Sequence, residues 1–218
     1  PGIARVLSGA FGASGRDTRG LRTVLLLDGA GDWLAYSRRL HRWALAGCEA
    51  WGPLSVTPGA RANSYKCASA WVAHALGAGA AGLLRRFQAD LAASAALAQL
   101  YGVRAEDCEF GEDGHGLNVI LQNSSMLPDS FHPDLCEAPR GWAPGHRGLT
   151  LLVYPHDAWD PAWRGHLELA GPGARPVARL SPLVNRSVVL DACIWHRATR
   201  PVSTAAPLKA GVVVSPAV

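Results

Sequence analysis

Residues 148–171 read GLTLLVYPHDAWDPAWRGHLELAG, and this stretch decides the fold. Two short apolar runs, at 148–154 and 165–171, flank a segment broken by Pro155, Asp157, Asp160 and Pro161. Runs of this length, bounded by such residues, read as strands joined by loops. The same texture continues on both sides, in GLNVILQ (116–122), SFHPDL (130–135), RPVARLS (175–181), RSVVLDACIW (186–195) and LKAGVVV (208–214). Seven or eight short strands at fairly regular spacing predict a β-sandwich, barrel or jelly roll.

Before about residue 110 the texture changes. Residues 32–51, DWLAYSRRLHRWALAGCEAW, place Trp33, Leu34, Tyr36, Leu40 and Trp43 near helical spacing, with Asp32 as a candidate N-cap. A second helix is expected over 80–102, ending at Gly102. Between them WGPLSVTPGARANSY (51–65) carries loop chemistry. The expected architecture is a single α+β domain over 1–218, in which 1–110 gives mainly helical support to a β-core at 111–218.

Composition narrows the class. Apolar residues make up 49% of the chain and charged residues 17%, as in an ordinary globular protein. No apolar run approaches membrane-spanning length, so no membrane partner is expected. The net charge of +4 is spread along the chain without a dense basic stripe, so no nucleic-acid partner is expected. Five scattered cysteines without a CxxC pair argue against a disulfide framework and a zinc ribbon, and favour a cytoplasmic location. Only two lysines, Lys66 and Lys209, stand among 21 basic residues, which makes each worth attention.

The chemistry centres on SFHPDLC, residues 130–136. On an extended segment, side chains two apart share a face. His132 and Asp134 are therefore either a ligand pair for one cation or the polar residues of a turn around Pro133. His196 follows the strand-like run that begins at Arg186 and supplies a second imidazole. Two histidines and one carboxylate are the facial triad of non-haem Fe(II) oxygenases, which leaves open positions for co-substrate and oxygen. By spacing alone an HxD pair is a weak signal.

Larger blocks carry a resemblance. FHPD, LTLLVYPHDAWDPAWRGHLEL (149–169) and LSPLVNRSVVLDACIWHRATRPV (180–202) stand in the order of three blocks found in Fe(II)/2-oxoglutarate-dependent oxygenases. The stretch from about 117 to 214 resembles the prolyl-4-hydroxylase-like branch of that family. This resemblance implies a double-stranded β-helix, or jelly-roll, core. It implies Fe(II) held by His132, Asp134 and His196, with 2-oxoglutarate and O2 as co-substrates and ascorbate as a supporting reductant. It also places Lys209 and Tyr154 on the far carboxylate of 2-oxoglutarate. A buried dicarboxylate must have its distal charge paired, which is the physical need Lys209 would meet.

The implied activity is hydroxylation of a C–H bond in an amino-acid, peptidyl or natural-product substrate, with release of succinate and CO2. In related halogenating enzymes the carboxylate ligand is replaced, so Asp134 favours oxygen transfer. Desaturation, epoxidation or cyclisation at the same site, and a non-catalytic binding module, are the competing readings. The chain departs from the family in three places. YPH (154–156) replaces YLN, Arg164 stands at the first of two glycines, and Gln122 stands where a tyrosine often lies. Gln122 and Arg147 are the candidate substrate contacts. Trp159 and Trp163 are expected near the pocket rim, as packing residues or a lid.

Overall fold

The computed structural model describes residues 3–9, 22–28, 31–47, 52–54, 64–68, 86, 89–90, 117–125, 129–134, 149–191, 193–204, 206 and 209–214. Four strands come from the first half of the chain: β1 (Ile3–Gly9), β2 (Arg22–Asp28), β3 (Gly52–Leu54) and β4 (Ser64–Ala68). Seven follow: β5 (Leu117–Gln122), β6 (Leu149–Val153), β7 (Leu167–Ala170), β8 (Pro176–Leu180), β9 (Arg186–Asp191), β10 (His196–Ala198) and β11 (Lys209–Val214). One helix, α1 (Gly31–Gly47), lies between β2 and β3.

Eight strands form a large sheet in the order β1-β2-β9-β6-β11-β5-β4-β3, and three form a small sheet in the order β10-β7-β8. Pairing is antiparallel throughout both sheets among the described residues. Alternation along each strand gives the large sheet two different faces. Val24, Leu26, Leu152, Tyr154, Val188 and Leu190 point inward and pack against Leu167, Leu169 and Leu180 of the small sheet. This two-sheet core matches the expected β-core.

On the outer face Leu25, Leu149, Leu151, Val153 and Val189 are also buried. Burial on both faces explains why β6 and the centre of β9, Val188 to Leu190, read as nearly continuous apolar runs. Helix α1 lies along β5, β6 and β11, with Leu34, Ser37 and Leu40 buried on one side. The Arg38 guanidinium ties α1 to the loop after β6, pairing with Asp157 at 3.1 Å and donating to the His156 carbonyl at 3.5 Å.

Among the described residues of the first 110, strands stand beside the helical support that was expected. Helix α1 forms where its periodicity places it, but β1–β4 extend the large sheet on both sides. The Gly- and Pro-rich stretch read as loop, 51–65, contains β3 and the first two residues of its partner β4. Pro53 is tolerated because β3 is the edge strand, where a missing N–H need not break a ladder on the outer side. Of the helix expected over 80–102, Arg86, Ala89 and Asp90 are helical, and the remainder lies outside the described residues.

Cys193 is disulfide-bonded, a single link that the scattered cysteines did not point to. Spacing along the chain says little about thiols that the fold brings together. No helix among the described residues is long and apolar enough to cross a membrane.

Candidate metal centre

The small sheet presents the candidate ligands. His196 opens β10, directly opposite Leu169 of β7. Because Leu169 faces the core, the His196 side chain faces inward too, and it is 8% exposed. His132 joins this strand through an isolated bridge. The His132 amide donates to the His196 carbonyl at 3.0 Å, and the reverse bond is 2.9 Å. Their rings are 4.9 Å apart between centroids and tilted by 51°. The segment around His132 is thus extended enough to pair, although it forms no full strand.

Each imidazole is oriented by its own backbone. His132 Nδ1 lies 2.8 Å from the Ser130 carbonyl, and His196 Nδ1 lies 2.8 Å from the Ile194 carbonyl. A carbonyl can only accept, so Nδ1 carries the proton in both rings and Nε2 is left as the ligating atom. His196 Nε2 stands 3.6 Å from Asp134 Oδ2. Donor atoms of His132, Asp134 and His196 all lie within 4.8 Å of one another, and this is the group of three among the described residues suited to a metal ion. Two imidazoles whose Nδ1 protons are held by backbone carbonyls, together with one carboxylate, fit a divalent transition metal such as iron(II).

Thr150, inside the otherwise apolar β6, reaches across the sandwich and donates from Oγ1 to Asp134 Oδ2 at 2.5 Å. Its role was not anticipated from the sequence. A single hydroxyl in LTLLV, on the inward phase of the strand, was the available signal.

The large sheet carries the remaining candidates. Lys209 opens β11 opposite Gln122, which ends β5. Gly211, two residues on, faces inward, since a Cβ there would meet Leu152 Cδ1 at 2.8 Å. Lys209 and Gln122 therefore face inward as well, and both are buried, at 4% and 1% exposure. Lys209 Nζ crosses the sandwich to donate to the Thr199 carbonyl at 2.6 Å and the Gly165 carbonyl at 3.2 Å. Burial pulls the Lys209 ammonium down to about 7, although the nearby Asp129 charge opposes the shift. The Gln122 amide donates to the Ala198 carbonyl at 3.4 Å, close to the same end of β10.

Tyr154 follows β6 and keeps the inward phase of Leu152, packed in the core at 2% exposure. Continuing the β6–β11 register brings it opposite Gly211, one diagonal step from Lys209. Burial pushes its hydroxyl well above the ordinary phenol range, with Arg186 opposing, so it remains a donor. His156 lies two residues further, stacked between Tyr154 and Trp159 at centroid distances of 5.9 and 4.6 Å. Burial lowers this imidazole to about 4, and the Lys209 and His41 charges add to the effect. It is neutral at ordinary pH.

The turn between β6 and β7 explains one departure from the family pattern. Arg164 has φ 59° and ψ −121°, a conformation that favours glycine and costs on the order of 1–3 kcal/mol for other residues. Gly165 follows at φ +71°, and a Cβ there would come within 3.1 Å of Trp159 and 3.2 Å of Lys209 Cδ. The backbone of a glycine pair is retained with arginine in the first position. Trp159 is a packing residue, 7% exposed, with Nε1 donating to the Arg164 carbonyl at 3.1 Å. Trp163 meets it edge to face. Arg147 lies outside the described residues.

No family model matches the sequence, and no curated protein matches it. Solved structures do. A Pseudomonas putida prolyl-4-hydroxylase matches with a TM-score of 0.54 and 14% identity, over 84% of this chain and 86% of that one. The non-heme α-ketoglutarate-dependent carbocyclase SnoK from nogalamycin biosynthesis matches with a TM-score of 0.60 and 12% identity, over 89% of this chain and 79% of that one. EvdO2 from Micromonospora carbonacea var. aurantiaca, solved with 2-oxoglutarate, matches with a TM-score of 0.52 and 16% identity, over 90% and 86%. At these identities the likeness is one of fold. The chain has the jelly-roll fold of prolyl-4-hydroxylases and other 2-oxoglutarate-dependent enzymes.

Proposed function

We propose that this protein is an iron(II)- and 2-oxoglutarate-dependent dioxygenase that hydroxylates a C–H bond of an amino-acid, peptidyl or natural-product substrate. The observation that carries the reading is the convergence of His132, Asp134 and His196 within 4.8 Å, with both Nε2 atoms left as the ligating nitrogens. When bound, iron(II) with 2-oxoglutarate and O2 supplies oxidative chemistry in which the co-substrate becomes succinate and CO2 and the second oxygen atom enters the substrate.

The chain's own residues prepare the site. The Ser130 and Ile194 carbonyls fix the two imidazole tautomers, and Thr150 orients the carboxylate. An ammonium has three donors, and Lys209 gives two to the Thr199 and Gly165 carbonyls. The third would go to the distal carboxylate of 2-oxoglutarate, with the Tyr154 hydroxyl as a second partner for that carboxylate. Gln122 shares the inward face with Lys209 and lines the space between that anchor and the metal ligands. Packing around Tyr154, Trp159 and Lys209 keeps water from the anchored end.

A second outcome at the same site is favoured by one finding: a carbocyclase shares this fold as closely as a prolyl-4-hydroxylase does. Product mass separates the outcomes. Hydroxylation adds one oxygen atom, whereas ring closure or desaturation removes two hydrogens. The test is aerobic turnover of 2-oxoglutarate with iron(II), read as succinate. Succinate formed by the wild type and lost in His132→Ala supports the reading, and equal formation by both would refute it.

A further inference from the structure

Behind the metal ligands, on the opposite face of the small sheet, lies a row of side chains with no part in the site described above. In β7, Leu167 and Leu169 face the core, so Glu168 faces outward; in β10, His196 and Ala198 flank Arg197 in the same way. Arg197 and Glu168 are directly opposite across the β10–β7 ladder, and Glu168 is directly opposite Arg179 across the β7–β8 ladder. Because His132 bridges His196, its neighbour Phe131 falls beside Arg197. The result is one continuous row, Arg179–Glu168–Arg197–Phe131, which runs parallel to the row that holds His196 and His132.

The contacts along it are specific. Arg197 donates from Nε at 2.8 Å and from a terminal NH2 at 2.7 Å to Glu168 Oε2, while Arg179 Nε donates to Oε1 at 2.8 Å. The Arg197 guanidinium also covers the Phe131 ring at 4.4 Å from its centroid. The Glu168 side chain is only 6% exposed, against 30% for Arg197 and 65% for Arg179. Burial alone would raise the Glu168 carboxyl, but hydrogen bonds and charge from both arginines outweigh it and hold the group below its ordinary range. The segment carrying His132 is held to β10 by the two hydrogen bonds of the bridge and by the Asp129 amide, which donates to the Ala198 carbonyl at 3.4 Å. The contact of Phe131 with Arg197 holds it from the outer face.

We propose that Arg197 is a positioning residue for the metal ligands: held by Glu168 and stacked on Phe131, it fixes the spacing of His132 and His196 from the outer face of the sheet. The inference rests on the metal reading above, and it gives a role to one acidic and one basic side chain, Glu168 and Arg197, on the face of the small sheet away from the metal ligands. Arg179, exposed and paired only at the far end of the row, contributes little.

The test uses the full chain with Co(II) as the probe. Calorimetry gives the affinity, the absorption spectrum of the bound cobalt reports ligand geometry, and melting of the metal-free protein reports stability. Arg197→Ala is expected to weaken Co(II) about tenfold and to change the cobalt spectrum, in the range usual for outer-shell partners of metal ligands. Glu168→Gln, which keeps shape and removes charge, is expected to move both in the same direction. Arg197→Lys restores part of the affinity, because it keeps a cation between Glu168 and Phe131. Arg179→Ala leaves affinity and spectrum within about twofold of wild type. If Arg197→Ala fails to fold, Glu168→Gln and Arg197→Lys carry the comparison. Wild-type affinity and spectrum in the Arg197 and Glu168 variants overturn the inference alone. Failure of the wild type to bind Co(II) overturns the metal reading and this inference with it.

Discussion

The two sheets do different work with different materials. The large sheet is buried on both faces along β6 and most of β9, where Leu149, Leu151, Leu152, Val153, Val188, Val189 and Leu190 pack. The small sheet has an exposed outer face, as the pattern of β8 shows, and its strands alternate between core residues and charges. Yet the candidate site draws on both. His132, Asp134 and His196 belong to the small sheet and the segment bridged to it, while Thr150, Tyr154, Gln122 and Lys209 come from the large one. Polar contacts from Thr150 to Asp134, from Lys209 to Thr199 and Gly165, and from Gln122 to Ala198 cross the gap. The contrast teaches a division of labour: in the proposed site, the large sheet carries the anchor and the small sheet, with the segment bridged to it, carries the metal ligands.

The comparison is broken most severely by removing a ligand from the small sheet. His196→Ala or His132→Ala is expected to abolish detectable metal binding, measured by equilibrium dialysis against iron(II) without oxygen. Next in size is loss of the anchor from the large sheet. Lys209→Ala should raise the 2-oxoglutarate requirement about 100-fold while metal affinity holds, since a hydrogen bond to a charged group is worth roughly 1.5–3 kcal/mol. The anchor also predicts a pH dependence. With the ammonium at about 7 before binding, pairing with a dianion raises it, so binding takes up a proton above that pH. Apparent affinity should be flat below pH 7 and fall toward tenfold per unit above it. Lys209→Arg should remove that slope, because the guanidinium does not titrate there.

His156 tests the wall itself. Its pKa is lowered from 6.5 to about 4 in the folded protein, so below pH 6.5 the unfolded chain binds the extra proton and stability falls with pH. The contribution is fully present above 6.5 and is lost progressively down to about 4. His156→Phe should flatten this part of the denaturation profile, by roughly 2 kcal/mol between pH 7 and pH 5. An unchanged profile would place the acid sensitivity elsewhere. The smallest effect is expected at the tie between the sheets. Thr150→Val keeps shape and removes the hydroxyl, and it should weaken metal binding about tenfold in a Co(II) titration.

The same contrast explains what could be read in advance. In the β-core, a run such as LTLLV declares itself as a strand because burial on both faces leaves few other residues possible. His132, Asp134, His196 and Lys209 were legible as candidates because their order, with the blocks around them, matches a known pattern, and for Lys209 because lysine is scarce in this chain. Strands β1–β4 were less so: β1 and β3 lie at the two edges of the sheet, and β2 and β4 are placed by pairing with the distant β9 and β5. The partners of Lys209 were hidden for a different reason. They are backbone carbonyls of Gly165 and Thr199, which no residue type announces. Thr150 and the Arg197–Glu168 pair depend on which face of a strand each occupies, and that requires the register.

The proposed function requires ligands from the small sheet and an anchor from the large sheet to form a single co-substrate site. Anaerobic calorimetry of 2-oxoglutarate, with and without iron(II), tests it most directly. Binding should require the metal and should be lost or greatly weakened in both His196→Ala and Lys209→Ala. Binding of equal strength without metal, or unchanged in the Lys209 variant, would contradict it.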